Sequence, residues 1–221
     1  YEVGNVIVGT GRDAFFRALD QVGKATTLYR QGNPAQRVRR LVFYYGGHGE
    51  RVKQKSDVGY LALPDWYSTK GNNPESTGVE MGDLMSKIED RADVTHTILL
   101  LDSCFSGLVT RSGEAPRKDV ARDWGSRAQS VITASGRDQV AFESGTKSFF
   151  AETVIQGLTA RSGKTAADAN GDGVVTEGEL AQFVQGNITG HCPSRQPDCQ
   201  TLTPVYRQWE QKQGQFLFVP E

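Results

Sequence analysis

The sequence predicts a three-layer α/β domain in which helices flank a mostly parallel central sheet. Short apolar, β-prone runs recur along the chain, and the segments between them carry apolar residues at helical spacing. Strands that alternate with helices form a parallel sheet that binds its ligands beyond the carboxyl ends of the strands. Because the chain has 221 residues, 37% of them hydrophobic, it can bury one sizeable core, so we expect a single domain over residues 1–221.

The first half of the chain supplies two of the predicted buried strands. Residues 5–8 are a short β-like run, and the helical spacing of apolar residues predicts a helix over 13–22. Residues 40–45 (RLVFYY) and 97–101 (TILLL) are continuous apolar runs. Such runs are typical of strands that are buried on both faces.

The remaining elements connect and complete the sheet. A polar excursion over residues 65–78 leads to a crossover helix over 81–88, with Met81, Leu84, Met85 and Ile88 on one face. We expect a third strand over 130–134 (SVITA), a helix over 149–160 and a last strand over 215–219 (QFLFV). The side chains expected to face inward from the helix over 149–160 are Phe150, Val154, Ile155 and Leu158.

Residues 110–127 have little apolar content and predict an exposed loop that a protease can cut. The loop carries five basic residues, which are Arg111, Arg117, Lys118, Arg122 and Arg127.

The charge balance and the hydropathy pattern exclude two classes of partner. The 25 basic and 26 acidic residues leave a net charge of −1, which provides no cationic field for a nucleic acid. No apolar run approaches the roughly 20 residues that cross a bilayer. We therefore expect a soluble protein that binds neither nucleic acid nor membrane. We also expect a monomer.

His48 and Cys104 are the residues whose surroundings indicate chemistry. Each follows a predicted buried strand, so both emerge at the same edge of a parallel sheet, about 5 Å apart if the strands are neighbours. A nearby imidazole raises the thiolate fraction of a cysteine, and the turn that Cys104 begins can direct backbone amides at an oxyanion. Glycines on both sides of His48 let a substrate backbone approach closely. By spacing alone, a buried structural cysteine and a histidine in a glycine turn remain an alternative.

The amino-acid sequences of the two motifs resemble the motifs of a known superfamily. The segment 44–49 (YYGGHG) resembles the histidine motif of the caspases, metacaspases and bacterial caspase-like peptidases, and 100–107 (LLDSCFSG) resembles their cysteine motif in its metacaspase form. The resemblance extends through 59–65 (GYLALPD) and 134–143 (ASGRDQVAFE). It implies a caspase-like fold with a large-subunit-like part to about residue 110, a small-subunit-like part over 128–221, and an antiparallel last strand.

The same resemblance implies the roles of individual residues in a cysteine endopeptidase. His48 is expected to act as base and acid towards Cys104, and the main-chain NH groups of Cys104 and Gly49 to form the oxyanion hole. Metacaspases bind Arg or Lys in an acidic pocket, which predicts cleavage after Arg, with Lys second, in protein or peptide substrates. The basic loop contains such residues, which predicts autoprocessing there. The residues expected to bind the substrate are Asp102, Ser135, Asp138 and Glu143; a turn cap at Asp102 and a solvated surface acid at Glu143 are the structural alternatives.

Two departures from the family pattern concern the pocket and the start of the chain. Metacaspases usually have Ser where this chain has Gly46, so one pocket hydroxyl is missing. The family's first strand and helix normally precede residues 5–8. Their absence indicates that Tyr1 is not the natural start, and an N-terminal fragment of the precursor is an expected partner.

A second predicted site matches an EF-hand calcium loop over residues 168–179. The glycine at its sixth position, Gly173, permits the sharp turn, and Glu179 closes the coordination sphere from the first turn of the following helix. An Asx-rich loop that caps a helix without metal is the alternative, because the preceding predicted helix ends several residues early. The expected ligands are Asp168, Asn170, Asp172, Val174 through its carbonyl, Thr176 and Glu179.

The other cysteines and histidines leave their roles open. Cys192 and Cys199 can form a small disulfide loop or remain reduced thiols. A disulfide would favour an extracytoplasmic compartment and reduced thiols a cytoplasmic one, which the sequence does not decide. His191 and the two cysteines match no zinc pattern, and His96 is expected to be a strand-end residue.

Two alternative functions are compatible with parts of the pattern. A caspase scaffold that binds calcium but no longer turns over substrate would keep the second site without the chemistry. A flavodoxin-like binding domain needs a phosphate-binding glycine loop after the first strand, and Gly9-Thr10-Gly11 is too short a match for it.

Overall fold

The computed structural model describes residues 11–32, 39–52, 58–68, 73–103, 127–136, 143–144, 147–189, 202–208 and 214–219. Its helices are α1 (Arg12–Gly32), α2 (Pro64–Ser68), α3 (Pro74–Thr77), α4 (Leu84–Ala92), α5 (Phe149–Leu158) and α6 (Glu177–Ile188). Its strands are β1 (Arg40–Gly46), β2 (Gly49–Val52), β3 (Val58–Ala62), β4 (Gly78–Glu80), β5 (His96–Asp102), β6 (Ala128–Thr133), β7 (Glu143–Ser144), β8 (Lys147–Ser148), β9 (Ala160–Arg161), β10 (Lys164–Thr165), β11 (Val175–Thr176), β12 (Val205–Gln208) and β13 (Leu217–Phe218).

The central sheet confirms the predicted fold class. Its described strands lie in the order β1-β5-β6-β12. The pairs β1–β5 and β5–β6 are parallel, and β12 pairs antiparallel with β6. The carboxyl ends of β1, β5 and β6 therefore lie at one edge of the sheet, where the predicted catalytic motifs fall.

Helices cover both faces of this sheet and form three layers. On one face, Leu19 of α1 and Ile88 of α4 pack in a cluster with Leu99 and Leu101 of β5. On the other face, α5 and α6 pack against Ile98, Leu100 and Ile132. Alternate residues of β5 thus enter opposite layers, as the pleat of a strand requires.

The prediction of strands buried on both faces is confirmed for β5 and is wrong for β1. Every residue of β5 and β6 is buried, whereas exposed and half-buried residues alternate along β1. Val42 and Tyr44 are each 48% exposed. These two side chains are exposed because β1 lies at one end of the described strand order, beyond the cluster that α5 and α6 form.

Three helices match the predicted segments, with differences at particular residues. Helix α1 contains the predicted segment 13–22 and continues to Gly32. Met81 is buried but precedes α4, which begins at Leu84. The inward orientation predicted for Ile155 is wrong, since it is 62% exposed. It lies five residues after the buried Phe150, which places it on the opposite side of a helix with 3.6 residues per turn.

The last strand of the central sheet is antiparallel as predicted, but a different segment forms it. Residues 205–208 form β12, whereas the predicted 215–219 contributes only β13, which pairs with β11 outside the central sheet. The segment 205–208 (VYRQ) is short and half polar, so its local pattern gives little strand signal.

A small antiparallel sheet beside the histidine motif was missed by the sequence analysis. Strands β2, β3 and β4 pair in that order, and β2 begins directly after His48. This sheet therefore holds the main chain that follows His48 in place.

No helix within the described ranges combines the length and apolar content of a membrane-spanning helix.

Several predicted features lie outside the described residues. They are the strand over residues 5–8, the basic loop up to residue 126, and the residues Cys104, Asp138, Cys192 and Cys199.

Candidate active site

The two strands that carry the candidate catalytic motifs are direct neighbours. Strand β1 pairs in parallel with β5, and Gly46 is opposite Asp102. His48 comes two residues after Gly46, and Cys104 comes two residues after Asp102. Neighbouring strands are about 4.8 Å apart, so the described main chain that leads into each motif leaves the sheet at the same level of the same edge.

The backbone at His48 is held from two directions. The Tyr45 hydroxyl lies 2.9 and 3.0 Å from the carbonyl oxygens of His48 and Ala62 and shares its single proton between these two acceptors. The backbone N–H of Ala62 also donates to the carbonyl oxygen of His48, at 2.9 Å. The imidazole of His48 is exposed, and these hydrogen bonds hold the main chain that carries it.

The pairing of β2 with β3 determines where the Gly49 N–H points. His48 and Ala62 form a hydrogen-bonded pair, and such pairs alternate with non-hydrogen-bonded pairs along an antiparallel ladder. Gly49, which is opposite Leu61, is therefore in a non-hydrogen-bonded pair. Its N–H points away from β3, an orientation that an oxyanion-hole donor requires.

Asp102 is a buried carboxylate at the end of β5. It is 7% exposed, and its Oδ2 accepts a hydrogen bond from the Tyr44 hydroxyl at 3.0 Å. Its carbonyl oxygen accepts from the backbone N–H of Gly47 at 3.2 Å. The ends of β1 and β5 are thus joined through main chain and side chain immediately before the two candidate catalytic positions.

Ser135 fixes the backbone that leads into Cys104. Its side chain is buried, and its hydroxyl donates to the carbonyl oxygen of Ser103 at 3.0 Å. Within the described part of the chain, the hydroxyl of Ser103 is itself buried without a hydrogen-bond partner. Ser135 therefore lies at the same sheet edge as the ends of β1 and β5, with its hydroxyl directed at the main chain. Its role in substrate binding stays a prediction.

The remaining predicted pocket residues are described in part or not at all. The backbone of Glu143 lies in the hairpin that β7 and β8 form directly before α5. Asp138 and Cys104 lie outside the described residues. Their predicted roles stay predictions.

The predicted calcium loop has the hydrogen bonds of a tight turn around acidic side chains. Asp168 accepts from the backbone N–H groups of Gly171 and Gly173, at 2.8 and 2.9 Å. Both glycines have positive φ, +76° and +83°, which suits residues without a Cβ. Asp172 accepts from the backbone N–H of Val174 at 2.8 Å. These oxygens keep lone pairs for a cation, so the donor set fits calcium.

Glu179 has a structural role as well as the predicted metal role. It forms a capping box with Thr176, whose side chain accepts from the Glu179 N–H while the carboxylate accepts from the Thr176 N–H. Among the described residues, no three acidic, histidine or cysteine side chains converge on one point. Calcium binding therefore stays a prediction, beside the alternative of a capped loop without metal.

His96 lies where the sequence predicts a strand-end residue. It begins β5, is 1% exposed, and contacts the Thr95 hydroxyl through Nδ1 at 3.0 Å. Burial, and to a lesser extent the charge of Arg40, lowers the pKa of its imidazole to about 4. At neutral pH His96 is an uncharged part of the core.

The comparisons with known proteins concern the fold. No family model and no curated protein matches the chain. A crystal structure of the protein GSU0716 from Geobacter sulfurreducens is similar, with a TM-score of 0.50 and 14% sequence identity, over 90% of this chain and 73% of that one. At this identity the likeness extends to the arrangement of helices and strands and no further.

The side-chain contacts of Tyr44 and Tyr45 are a part of the candidate site that the sequence does not predict. Both belong to the predicted strand 40–45 and to the segment 44–49 that resembles a histidine motif. The available signal was the repeated order of the segment, since each tyrosine precedes a glycine by two positions. A Cβ on Gly46 would lie 2.7 Å from the Tyr44 hydroxyl, and one on Gly47 would lie 2.9 Å from the Tyr45 hydroxyl.

Proposed function

We propose that the chain is a cysteine endopeptidase that cleaves proteins or peptides after Arg, and second after Lys, with His48 and Cys104 as its catalytic pair. The observation that carries the proposal is the in-register, parallel pairing of β1 with β5, in which Gly46 is opposite Asp102. His48 follows Gly46 by two positions, and Cys104 follows Asp102 by two positions. The register therefore supports the proposal that the two residues lie at the same level of the sheet edge. The resemblance of both motifs to caspase-like peptidases supplies the reaction type.

The proposed chemistry divides peptide cleavage into two steps. The Cys104 thiol loses its proton to His48, and the sulfur attacks the scissile carbonyl carbon. The carbon–nitrogen bond breaks, His48 protonates the leaving amine, and an acyl-enzyme remains. Water, deprotonated by His48, hydrolyses this thioester and restores the thiol. The orientation of the Gly49 N–H supports its role as a donor to the oxyanion in both steps.

Asp102 is the proposed acid of the specificity pocket. Its carboxylate is 7% exposed and precedes Cys104 by two residues. Charges attract each other more strongly at a site that is partly removed from water, so the cationic side chain of a substrate is a favourable ligand. Glu143 is proposed as a second acid from its match to the family motif.

Calcium is the proposed metal of the second site. Asp168, Asn170 and Asp172 would hold it with Val174 through its carbonyl, and the capping-box residues Thr176 and Glu179 would complete the ligand set. The bound cation would stabilise the loop that precedes α6. Whether it also regulates cleavage is decided by assays with and without the metal.

A positional peptide library, assayed with and without calcium, tests the proposed activity. We expect cleavage after Arg above Lys and none after Asp. An arginyl chloromethylketone should label the parent protein and fail to label Cys104→Ala. His48→Ala should lower kcat by roughly 100- to 10,000-fold, the usual contribution of a general acid–base residue.

The same variants separate the peptidase from an inactive scaffold. Cleavage that persists in Cys104→Ala would refute the assignment of the nucleophile. A parent protein that neither cleaves the library nor reacts with the chloromethylketone would refute the peptidase proposal and favour the calcium-binding scaffold.

A further inference from the structure

Tyr44 contacts the proposed specificity acid directly. Its hydroxyl donates to Oδ2 of Asp102 at 3.0 Å. The register of the parallel pair places Tyr44 opposite Leu100 and Gly46 opposite Asp102. Because alternate residues of a strand share a face, the tyrosine and the carboxylate lie on the same side of the sheet.

Gly46 provides the space for this contact. A Cβ at position 46 would lie 2.7 Å from the Tyr44 hydroxyl and 3.1 Å from ring atom Cε1. The ring therefore lies over Gly46, towards the end of β1. The Tyr44 hydroxyl thus lies in the space next to position 46, where the motif of metacaspases, which this segment resembles, usually has a serine.

The Tyr44 side chain is also placed where a substrate can meet it. It is 48% exposed, although its hydroxyl bonds to a buried carboxylate. It thus lies between solvent and Asp102, at the sheet edge that the proposed function uses.

We propose that Tyr44 is a positioning residue that makes the pocket prefer Arg to Lys, an inference that rests on the proposed function. A hydrogen bond to one carboxylate oxygen fixes the plane of the Asp102 carboxylate. The guanidinium of Arg is planar and forms two parallel hydrogen bonds to a carboxylate, so its binding depends on that plane. The ammonium of Lys is a point charge that tolerates rotation of the carboxylate.

The test compares two peptides that differ only in Arg or Lys before the cut. Tyr44→Phe keeps the ring and removes the hydroxyl. It should lower the Arg-to-Lys ratio of kcat/KM about tenfold, mainly through a higher KM for the Arg peptide, because a hydrogen bond to a charged group contributes at least that factor.

A second variant tests whether the hydroxyl itself is responsible. In Tyr44→Ala/Gly46→Ser the ring is gone, and a serine hydroxyl at position 46 can reach the space that the tyrosine hydroxyl occupies. This variant should recover most of the Arg preference, whereas Tyr44→Ala alone should not. The matched control is Tyr45→Phe, which removes a hydroxyl from the other face of β1 and should leave the Arg-to-Lys ratio unchanged.

Each outcome separates this inference from the proposed function. An unchanged ratio in Tyr44→Phe, or equal losses for both peptides, overturns the role of Tyr44 and leaves the peptidase in place. Calorimetric binding of the two peptides to Cys104→Ala provides a readout without turnover. An Arg preference there that depends on Tyr44 supports the inference even if the parent protein is inactive, and absence of both binding and cleavage overturns both proposals.

Discussion

Tyr44 and Tyr45 are adjacent residues whose hydroxyls serve different positions of the site. They point to opposite faces of β1, where Tyr44 donates to the Asp102 carboxylate and Tyr45 donates to the backbone of His48. The first contact concerns the side chain that is proposed to bind substrate, and the second concerns the proposed base. Loss of either hydroxyl should therefore change a different kinetic constant.

Tyr45→Phe should lower kcat about tenfold with little change in KM. The variant keeps the ring in the core cluster but removes the donor to the carbonyl oxygens of His48 and Ala62. A small displacement of a general base costs rate more than substrate affinity. Steady-state kinetics with an arginyl peptide measures both constants, and an unchanged kcat would contradict the positioning role.

His96 should make the protein less stable as the pH falls below neutrality. Its pKa is about 4 in the folded protein and 6.5 in its ordinary state, so between these values the unfolded chain binds more protons than the folded one. The contribution of His96 to the free energy of unfolding therefore falls as pH decreases through that window, by about 3 kcal/mol in total.

Urea unfolding of the parent and of His96→Gln between pH 7.5 and 4.5 checks this prediction. The glutamine does not titrate, so the variant should lose less stability over the window, whatever its stability at pH 7.5. Equal losses in the two proteins would mean that His96 keeps an ordinary pKa.

At the scale of elements, helix α6 joins the predicted calcium loop to the core. The capping box of Thr176 and Glu179 begins the helix, and Leu180, Val184 and Ile188 bury its inner face. The loop that would hold calcium is therefore continuous with a packed helix. Binding of the cation to the folded state should raise the stability of the whole protein.

Calcium should raise the melting temperature of the parent protein and have little effect on Asp172→Asn. At a concentration about 100 times the dissociation constant, binding to the folded state contributes about 2.7 kcal/mol. Asp172→Asn keeps an acceptor for the Val174 N–H but removes a charged ligand.

The variant Thr176→Ala distinguishes the stability that the helix cap contributes from the stability that bound calcium contributes. Without calcium this variant should be about 1 kcal/mol less stable than the parent, the usual effect of losing an N-cap side chain, whereas Asp172→Asn should melt close to the parent. Scanning calorimetry with calcium, magnesium or chelator measures all three proteins. Equal melting temperatures of the parent with calcium and with chelator would favour the capped loop without metal.

At the scale of the molecule, the basic loop is part of the connection from β5 to β6, which begins at the sheet edge of the candidate site. Strand β5 ends at Asp102, β6 begins at Ala128, and the basic residues of the sequence 110–127 lie in the chain between them. An enzyme that cleaves after Arg or Lys has suitable sites in that connection. Cutting it would leave the described β5–β6 pairing to hold the two parts together.

The purified parent protein should therefore be cut after one or more basic residues of this loop. Intact-mass spectrometry should find two fragments in the parent and one intact chain in Cys104→Ala. Mixing the two proteins determines whether cutting occurs within or between molecules. An active parent protein with an intact loop would exclude autoprocessing.

The sequence by itself determined the elements whose local pattern is unambiguous. Strand β5 is buried on both faces and so carries a continuous apolar run, and α1 and α4 show the periodicity of helices with one buried face. The motifs around His48 and Cys104 placed the candidate site at strand ends. The EF-hand spacing placed the second site before a helix, and α6 begins there.

Tertiary structure decided which segments meet. Local preference does not specify that Tyr44 reaches Asp102, 58 positions later, or that β12 rather than 215–219 completes the central sheet. Nor does it specify that β1 lies at one end of the described strand order with Val42 exposed. Strand pairing and the covering of faces depend on contacts between segments far apart in the chain, whereas periodicity reports only the neighbours of each residue along it.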